Sequence, residues 1–98
     1  MTIEIKRNAE ETTIKLVGRL DTTTAPALDK TIGEDIAGTK NLILDVKELE
    51  YISSAGLRVL LGAQKKMQKI GSMKVINVRE EVMEVFEMTG FADILVIE

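Results

Sequence analysis

Leu42-Ile43-Leu44-Asp45-Val46 is a short apolar run with the length of a single β-strand. Runs of this kind are typical of strands that are covered on both faces, as in a parallel sheet. Residues 73–78 form a second run of the same character, and the segment between the two runs has the spacing of a helix. A strand, a helix and a second strand in this order predict a right-handed crossover onto one sheet.

The segment between these two strands predicts an amphipathic helix. Its apolar positions fall on one stripe, whereas its charged positions would face water. Gly71 follows the last of them and is expected to end the helix. The apolar positions are Leu57, Leu60, Leu61 and Met67, and the charged positions are Arg58, Lys65, Lys66 and Lys69.

The amino-terminal part of the chain predicts two strands and a helix. Residues 2–7 and 12–18 alternate apolar and polar side chains, which is the pattern of half-buried strands, and residues 8–11 would form the turn between them. The helix would follow three threonines whose hydroxyls could cap it, with Pro26 in its first turn and Gly38 after its end. Its apolar face would consist of Ala25, Leu28, Ile32 and Ile36.

The carboxyl-terminal part predicts a third helix at about 79–88 and a last short strand at 94–97. The helix would bury one stripe of apolar side chains and stop at Thr89-Gly90. The complete order is ββαβαβαβ. This order predicts an α/β fold in which residues 1–98 form a single domain, with a mixed β-sheet of about five strands and three main helices.

The composition excludes several classes of function. The 98 residues include no cysteine and no histidine, so the usual ligands of zinc sites and the usual members of Ser-His triads are missing. The net charge is −3 and the basic residues are scattered, which is unlike a nucleic-acid-binding surface. No apolar run has the roughly 18–20 residues of a membrane span, and the first residues alternate as in a strand and not as in a signal peptide. We therefore expect a cytoplasmic protein without a metal or cofactor.

One segment, residues 48–57, is a candidate for function. Ser53 or Ser54 must lie at the N-cap or in the first turn of the second helix, where free N–H groups and the positive end of the helix dipole are found. A phosphate on a hydroxyl there would find its donors in place, and Gly56 would let another protein approach the backbone closely. The ordinary alternative is that the serines simply cap the helix, and the residues alone favour that alternative.

Five short motifs follow one another along the chain: Gly18-Arg19-Leu20-Asp21, Leu44-Asp45-Val46, Tyr51-Ile52-Ser53-Ser54-Ala55-Gly56-Leu57, Gly71-Ser72-Met73-Lys74-Val75 and Val85-Phe86-Glu87-Met88-Thr89-Gly90. In this order and spacing they resemble the STAS family, which is named after sulfate transporters and anti-sigma factor antagonists. The resemblance covers essentially the whole chain. In stand-alone bacterial members, a serine that begins the second helix is phosphorylated by an anti-sigma factor that is itself a serine kinase.

The resemblance implies an anti-sigma factor antagonist, which binds its ATP-binding kinase when unphosphorylated and is reset by a phosphatase. The family pattern is Asp-Ser-(Ser/Thr)-Gly-Leu, and with Gly56 and Leu57 as anchor Ser54 occupies the phosphorylated position. Ser53 stands where the family often has aspartate and is the second candidate acceptor. Asp21 would lie near the phosphorylated serine, although a turn or cap explains this aspartate equally well. The implied partner-binding residues are Asp21, Thr22, Ser53, Ser54, Ala55, Gly56 and Arg58.

Two other interpretations stay open. STAS domains also act as scaffold or adaptor subunits of signalling assemblies or lipid-transport systems, without a phosphorylation switch. Alternatively, Ser54 could be the nucleophile of an enzyme, but its general base would have to be a lysine or a carboxylate because histidine is absent. We expect that the protein is not an enzyme.

Overall fold

The structure is a computed structural model, and it describes residues 1–36 and 38–98. Within these residues, four strands and three helices follow in the order ββαβαβα, and a short 3-10 helix at Phe91–Asp93 comes after them. The strands are β1 (Thr2–Asn8), β2 (Glu11–Leu20), β3 (Asn41–Ile52) and β4 (Ser72–Ile76). The helices are α1 (Ala25–Asp35), α2 (Ser54–Ile70) and α3 (Glu80–Thr89).

The strands form one mixed sheet in the order β1-β2-β3-β4. β1 and β2 form an antiparallel hairpin, whereas β2, β3 and β4 are parallel. The helices α1 and α2 are the connections between the parallel strands, because parallel neighbours need a crossover. The predicted α/β architecture with three main helices is therefore confirmed. None of the helices in the described part is both long and apolar enough to cross a membrane.

The predicted last strand at 94–97 is reduced to one bridge. Ile97 lies beside Val75 of β4 in the parallel direction. Leu95 cannot join a strand because its backbone N–H donates to the carbonyl of Phe91 at 2.9 Å, which holds it in the turn after the 3-10 helix. The sheet of the described residues accordingly has four strands and not about five.

Strand β3 is buried on one face only, so the expectation of cover on both faces is wrong. Leu42, Leu44 and Val46 are buried in the core, whereas Ile43 and Asp45 remain half-exposed. The half-exposed face continues across the neighbouring strands, where it carries polar side chains. They are Thr13 and Lys15 of β2 and Lys74 of β4.

Helix α2 packs against helix α1 and against the strands β3 and β4 of the sheet. Leu57, Leu60 and Met67 from the predicted stripe are buried. Gly71 ends the helix as predicted, and its backbone N–H donates to the Met67 carbonyl at 2.7 Å. A Cβ at this glycine would collide with the backbone of Lys40, so the close approach of the two backbones requires a residue without a side chain.

The long strands β2 and β3 extend beyond the predicted runs and end side by side. Their pairing is shifted between Lys15 and Val17 and again between Gly18 and Arg19. Such irregularities change which side chains face the core. After them, Leu20 of β2 pairs with Ile52 of β3, and both side chains are buried. The starts of α1 and α2 are thereby brought to one edge of the sheet.

Candidate functional site

The candidate site lies where β2 and β3 end. Leu20 and Ile52 are paired, so Asp21 and Ser53 each directly follow a paired strand position. The backbone N–H of Ser53 donates to the carbonyl of Leu20 at 2.9 Å, which ties the two segments together. Binding sites of open α/β sheets are found outside the carboxyl ends of the parallel strands, and this edge has that position.

Ser53 is the N-cap of α2. Its backbone is extended, with φ −96° and ψ 175°, and its Oγ accepts the backbone N–H of Gly56 at 3.3 Å. Its carbonyl accepts the N–H of Leu57 at 2.9 Å, which is the first hydrogen bond along the helix. The side chain is half-buried. Ser53 thus has the ordinary capping role, and its hydroxyl oxygen is already engaged.

Ser54 is the first residue of α2 and has a different environment. Its side chain is exposed, and its hydroxyl makes no hydrogen bond with any residue that the structure describes. A phosphate on its Oγ would extend into solvent next to the free N–H groups of the first turn, at the positive end of the helix dipole. The two serines, which look interchangeable in the sequence, therefore differ in availability.

Gly56 has a structural role that differs from the predicted one. It is buried, and a Cβ at this position would lie 2.7 Å from Leu20 Cγ and 2.9 Å from Ile52 Cγ1. The space where a side chain would stand faces the interior, so its absence does not open the backbone to another protein. Gly56 instead lets the first turn of α2 pack directly onto the ends of β2 and β3.

Asp21 organises the turn between β2 and α1. Its Oδ1 accepts the backbone N–H groups of Thr23 at 3.0 Å and Thr24 at 3.2 Å, and also the Thr23 hydroxyl at 2.8 Å. The hydrogen bond from the Thr23 hydroxyl is the main reason why the pKa of Asp21 is held below its usual value. Thr24 is the N-cap of α1 but does not cap it with its hydroxyl, which donates to the carbonyl of Arg19 at 2.8 Å. Asp21 thus has the predicted role in the turn, and its role in partner binding stays a prediction.

Three of the predicted partner-binding residues line one shallow depression between the starts of α1 and α2. They are Thr22, Ala55 and Arg58, and the volume of the depression is about 270 Å³. The other predicted residues lie within two positions of these three in the sequence. The other lining residues are Ala25, Pro26, Asp29 and Val59. The structure therefore brings the predicted residues together at one edge of the molecule.

A pair of side chains at the same edge was missed from the sequence. The guanidinium carbon of Arg19 lies 4.2 Å from the centroid of the Tyr51 ring, which is a cation–π contact. The two residues are paired across β2 and β3, one position before the buried pair that ends the strands. Because 32 positions separate the two residues in the sequence, only the register of β2 against β3 indicates that they meet. Tyr51 nevertheless stays 40% exposed.

The charges of the site are few. The first turn of α2 contains no acidic residue, whereas the first turn of α3 contains Glu80 and Glu81. In the described residues, no group of three or more acidic side chains comes close enough together to hold a metal ion. The start of α2 is therefore a positive helix end whose field is not compensated by a carboxylate of the same turn.

Known proteins share both the sequence pattern and the fold. The STAS domain family model matches residues 2–98. The anti-sigma-B factor antagonist of Bacillus subtilis (strain 168) is 29% identical over 94 residues, which cover 95% of this chain and 86% of that protein.

Two solved structures have the same fold. The crystal structure of an anti-sigma factor antagonist from Mycobacterium paratuberculosis superimposes with a TM-score of 0.88 at 24% identity and covers 98% of this chain and 83% of its own. The Bacillus cell fate determinant SpoIIAA in the phosphorylated form gives a TM-score of 0.78 at 19% identity, over 99% of this chain and 91% of its own. Because the family model matches nearly the whole length of the chain, this chain belongs to the STAS domain family.

Proposed function

We propose that this chain is a cytoplasmic anti-sigma factor antagonist whose binding is switched by phosphorylation of Ser54. When unphosphorylated, it binds an ATP-binding anti-sigma factor that is a serine kinase, and this anti-sigma factor then releases its sigma factor. The kinase transfers the γ-phosphoryl group of Mg-ATP to Ser54, and the complex dissociates. A phosphatase hydrolyses the phosphoserine and resets the switch.

The chemistry of the transfer needs only a hydroxyl from this chain. A bond forms between Ser54 Oγ and the γ-phosphorus, the bond from that phosphorus to ADP breaks, and the hydroxyl proton passes to a base of the kinase. The chain itself supplies no base for Ser54, whose hydroxyl has no hydrogen-bond partner among the described residues. A role as substrate is therefore better supported than a role as nucleophile of an enzyme.

The difference between the two serines is the observation that carries this proposal. The oxygen of Ser53 accepts the Gly56 N–H and fixes the helix start, whereas Ser54 is exposed and without a partner in the described part. A kinase must bind the acceptor hydroxyl in its own active site. Of the two serines, only Ser54 can enter that site without the loss of a helix cap. Ser53 remains the second candidate acceptor.

The electrostatics favour a switch that acts on the interface and not on the fold. A phosphate adds about −1.5 to −2 charges. At the start of α2 this charge interacts favourably with the helix dipole, by roughly 0.3–1 kcal/mol at an exposed position. At a closed interface the same charge must be stripped of water, and a loss of about 2.7 kcal/mol in binding free energy weakens affinity about a hundredfold. The partner would contact the depression lined by Thr22, Ala55 and Arg58.

The relatives support the same role. The Bacillus subtilis protein is named an anti-sigma-B factor antagonist, and it aligns with 95% of this chain. The SpoIIAA neighbour is described in a phosphorylated form. Both facts concern those proteins, and they make the Ser54 hypothesis the first one to test here.

The direct test is phosphorylation in vitro. The chain is mixed with Mg-ATP and an anti-sigma factor of the serine-kinase class from the same genome, and the products are mapped by mass spectrometry. We expect one phosphate on Ser54, normal phosphorylation of Ser53→Ala and none of Ser54→Ala. Phosphorylation that persists in Ser54→Ala and is lost in Ser53→Ala would move the acceptor to Ser53. If no such kinase phosphorylates the chain, the switch is refuted and the scaffold or adaptor function takes its place.

A further inference from the structure

Arg58 lies one helical turn after Ser54 in α2. Residues four positions apart on a helix are neighbours, with Cβ atoms about 5–6 Å apart. Side chains on a helix also tend to lean toward its amino terminus, and this is the direction from Arg58 to the turn that carries Ser54. Both side chains are exposed, and neither has to leave the core to meet the other.

The guanidinium of Arg58 has no partner in the part of the chain that the structure describes. Lys15, Lys74 and Arg79 form ion pairs in the described residues, whereas the Arg58 guanidinium forms no ion pair there and donates no hydrogen bond. Asp29 of α1 lines the same depression, yet it forms no ion pair with Arg58 within 4.0 Å. The guanidinium is therefore free to bind an anion that arrives within its reach.

The first turn of α2 offers Arg58 no anion as long as Ser54 is unmodified, because this turn contains no acidic residue. A phosphate on Ser54 would be the first anion of that turn. Guanidinium groups bind phosphate oxygens through two parallel N–H···O bonds, and this geometry makes arginine more effective than lysine.

We propose that Arg58 is an intramolecular ligand of the phosphate on Ser54, so that phosphorylation places a dianion at the edge of the depression and also withdraws a cation from it. This inference rests on the proposed phosphorylation of Ser54, and it identifies the residue that binds the phosphate after the transfer. A partner whose acidic group pairs with Arg58 in the unphosphorylated complex would lose that pairing when the phosphate takes its place.

The phosphate resonance itself tests the proposal without the kinase. The chain is produced with phosphoserine incorporated at position 54, and the phosphate is titrated by ³¹P NMR in the unsubstituted chain and in Arg58→Gln, Arg58→Ala and Arg58→Lys. A nearby cation stabilises the dianion, so its loss moves the titration midpoint to higher pH. We expect a rise of about 0.2–0.7 pH units in Arg58→Gln and Arg58→Ala, as for an exposed ion pair, and a smaller rise in Arg58→Lys.

Lys65→Gln is the matched control. Lys65 is exposed on the same helix, eleven positions after Ser54, and its substitution removes the same charge. The distance along the helix is about 16 Å, beyond a Debye length of about 8 Å, so its midpoint should stay within error of the unsubstituted chain. An unchanged midpoint in both Arg58→Gln and Arg58→Ala, or an equal rise in Lys65→Gln, would overturn the role of Arg58. Failure of the proposed function would show separately, as a chain that its kinase does not phosphorylate.

Discussion

Helices α2 and α3 begin in opposite electrostatic states. At the start of α3, Glu80 and Glu81 place permanent negative charge in the first turn, and the N-cap Arg79 makes no capping hydrogen bond with its side chain. At the start of α2, the neutral Ser53 caps the helix and no acidic residue follows. The first turn of α3 therefore contains carboxylates that interact favourably with the helix dipole, whereas the first turn of α2 contains none, and a phosphate on Ser54 would supply such a charge.

The two helix starts also differ in how they are anchored. The first turn of α2 packs onto the core through the buried Gly56, against Leu20 and Ile52. The fixed turn keeps the capping Ser53 and the exposed Ser54 in different environments. A charge added to a side chain on a well-anchored helix start can change the surface without changing the fold, so substitutions at the helix starts should differ in their effects.

The largest effect is expected from Gly56→Ala. The added Cβ would lie 2.7 Å from Leu20 Cγ, and Leu20 is fully buried, so the helix start must move or the core must be repacked. We expect the free energy of unfolding to fall by about 1–3 kcal/mol in urea denaturation. The matched control is Gly62→Ala in the same helix, where a Cβ meets nothing within 4 Å. That variant should gain about 0.5–1 kcal/mol, and a Gly56→Ala variant as stable as Gly62→Ala would show that the first turn is not tightly anchored.

The second prediction separates the two serines. Ser53→Ala removes the cap on the Gly56 N–H and should lower the free energy of unfolding by about 0.5–2 kcal/mol. Ser54→Ala removes an exposed hydroxyl without a described partner and should stay within about 0.5 kcal/mol of the unsubstituted chain. Both values come from the same denaturation experiment. Equal losses in the two variants would contradict the division between a capping serine and an available one.

Substitutions at equivalent positions can exchange the charges at the starts of α2 and α3. Ser54 and Glu80 are each the first residue of their helix. Ser54→Glu should raise the free energy of unfolding by about 0.3–1 kcal/mol and Glu80→Gln should lower it by a similar amount, because each changes the charge near the positive end of a dipole. Both effects should shrink in high salt. Changes of the same sign in the two variants would refute the comparison.

The smallest effect concerns α1, whose start is organised by the carboxylate of Asp21. Its pKa is lowered in the folded state, chiefly by the hydrogen bond from the Thr23 hydroxyl, so the folded chain binds this proton less readily than the unfolded chain does. The resulting stabilisation is present above the ordinary aspartate pKa of about 3.9 and is lost as the pH falls through the lower, folded value. The melting temperature of Asp21→Asn should therefore fall less on acidification than that of the unsubstituted chain. Identical acid profiles would show that Asp21 does not contribute in this way.

Much of the fold could be predicted because local patterns agreed with it. Alternation in residues 2–7 and 12–18 marked the two strands of the hairpin, although the predicted half-buried face is present in β2 and not in β1, where only Ile3 is partly buried. Glycines such as Gly71 and Gly90 ended helices where they were expected. The continuation of β3 to Ile52 was not predictable in the same way. This continuation depends on shifts in the register of β3 against β2. After such a shift, polar residues of β3 interrupt the simple alternation of buried and exposed positions. The shifts depend on the pairing with β2, so the sequence of β3 alone does not indicate them.

The sequence pattern selected the residues of the candidate site, but it did not predict the structural roles that these residues have. Ser53 and Ser54 are identical in type and adjacent, and only the backbone at the helix start distinguishes the cap from the free hydroxyl. The role of Gly56 depends on Leu20 and Ile52, and Leu20 is far away in the sequence. Packing between residues that are far apart in the sequence leaves no periodic pattern. The prediction that Gly56 lets another protein approach the backbone was therefore wrong, because this side of the helix faces the core.

The affinity of the chain for the proposed kinase partner, before and after phosphorylation of Ser54, tests the central claim most directly. Calorimetric titration of a serine-kinase anti-sigma factor from the same genome compares the unmodified chain with the chain that carries phosphoserine at position 54. We predict binding that is at least about a hundredfold weaker for the phosphorylated chain, a difference of about 2.7 kcal/mol, with an unchanged fold by circular dichroism. Equal affinity for the two forms would contradict the account, because Ser54 would then not control the interface.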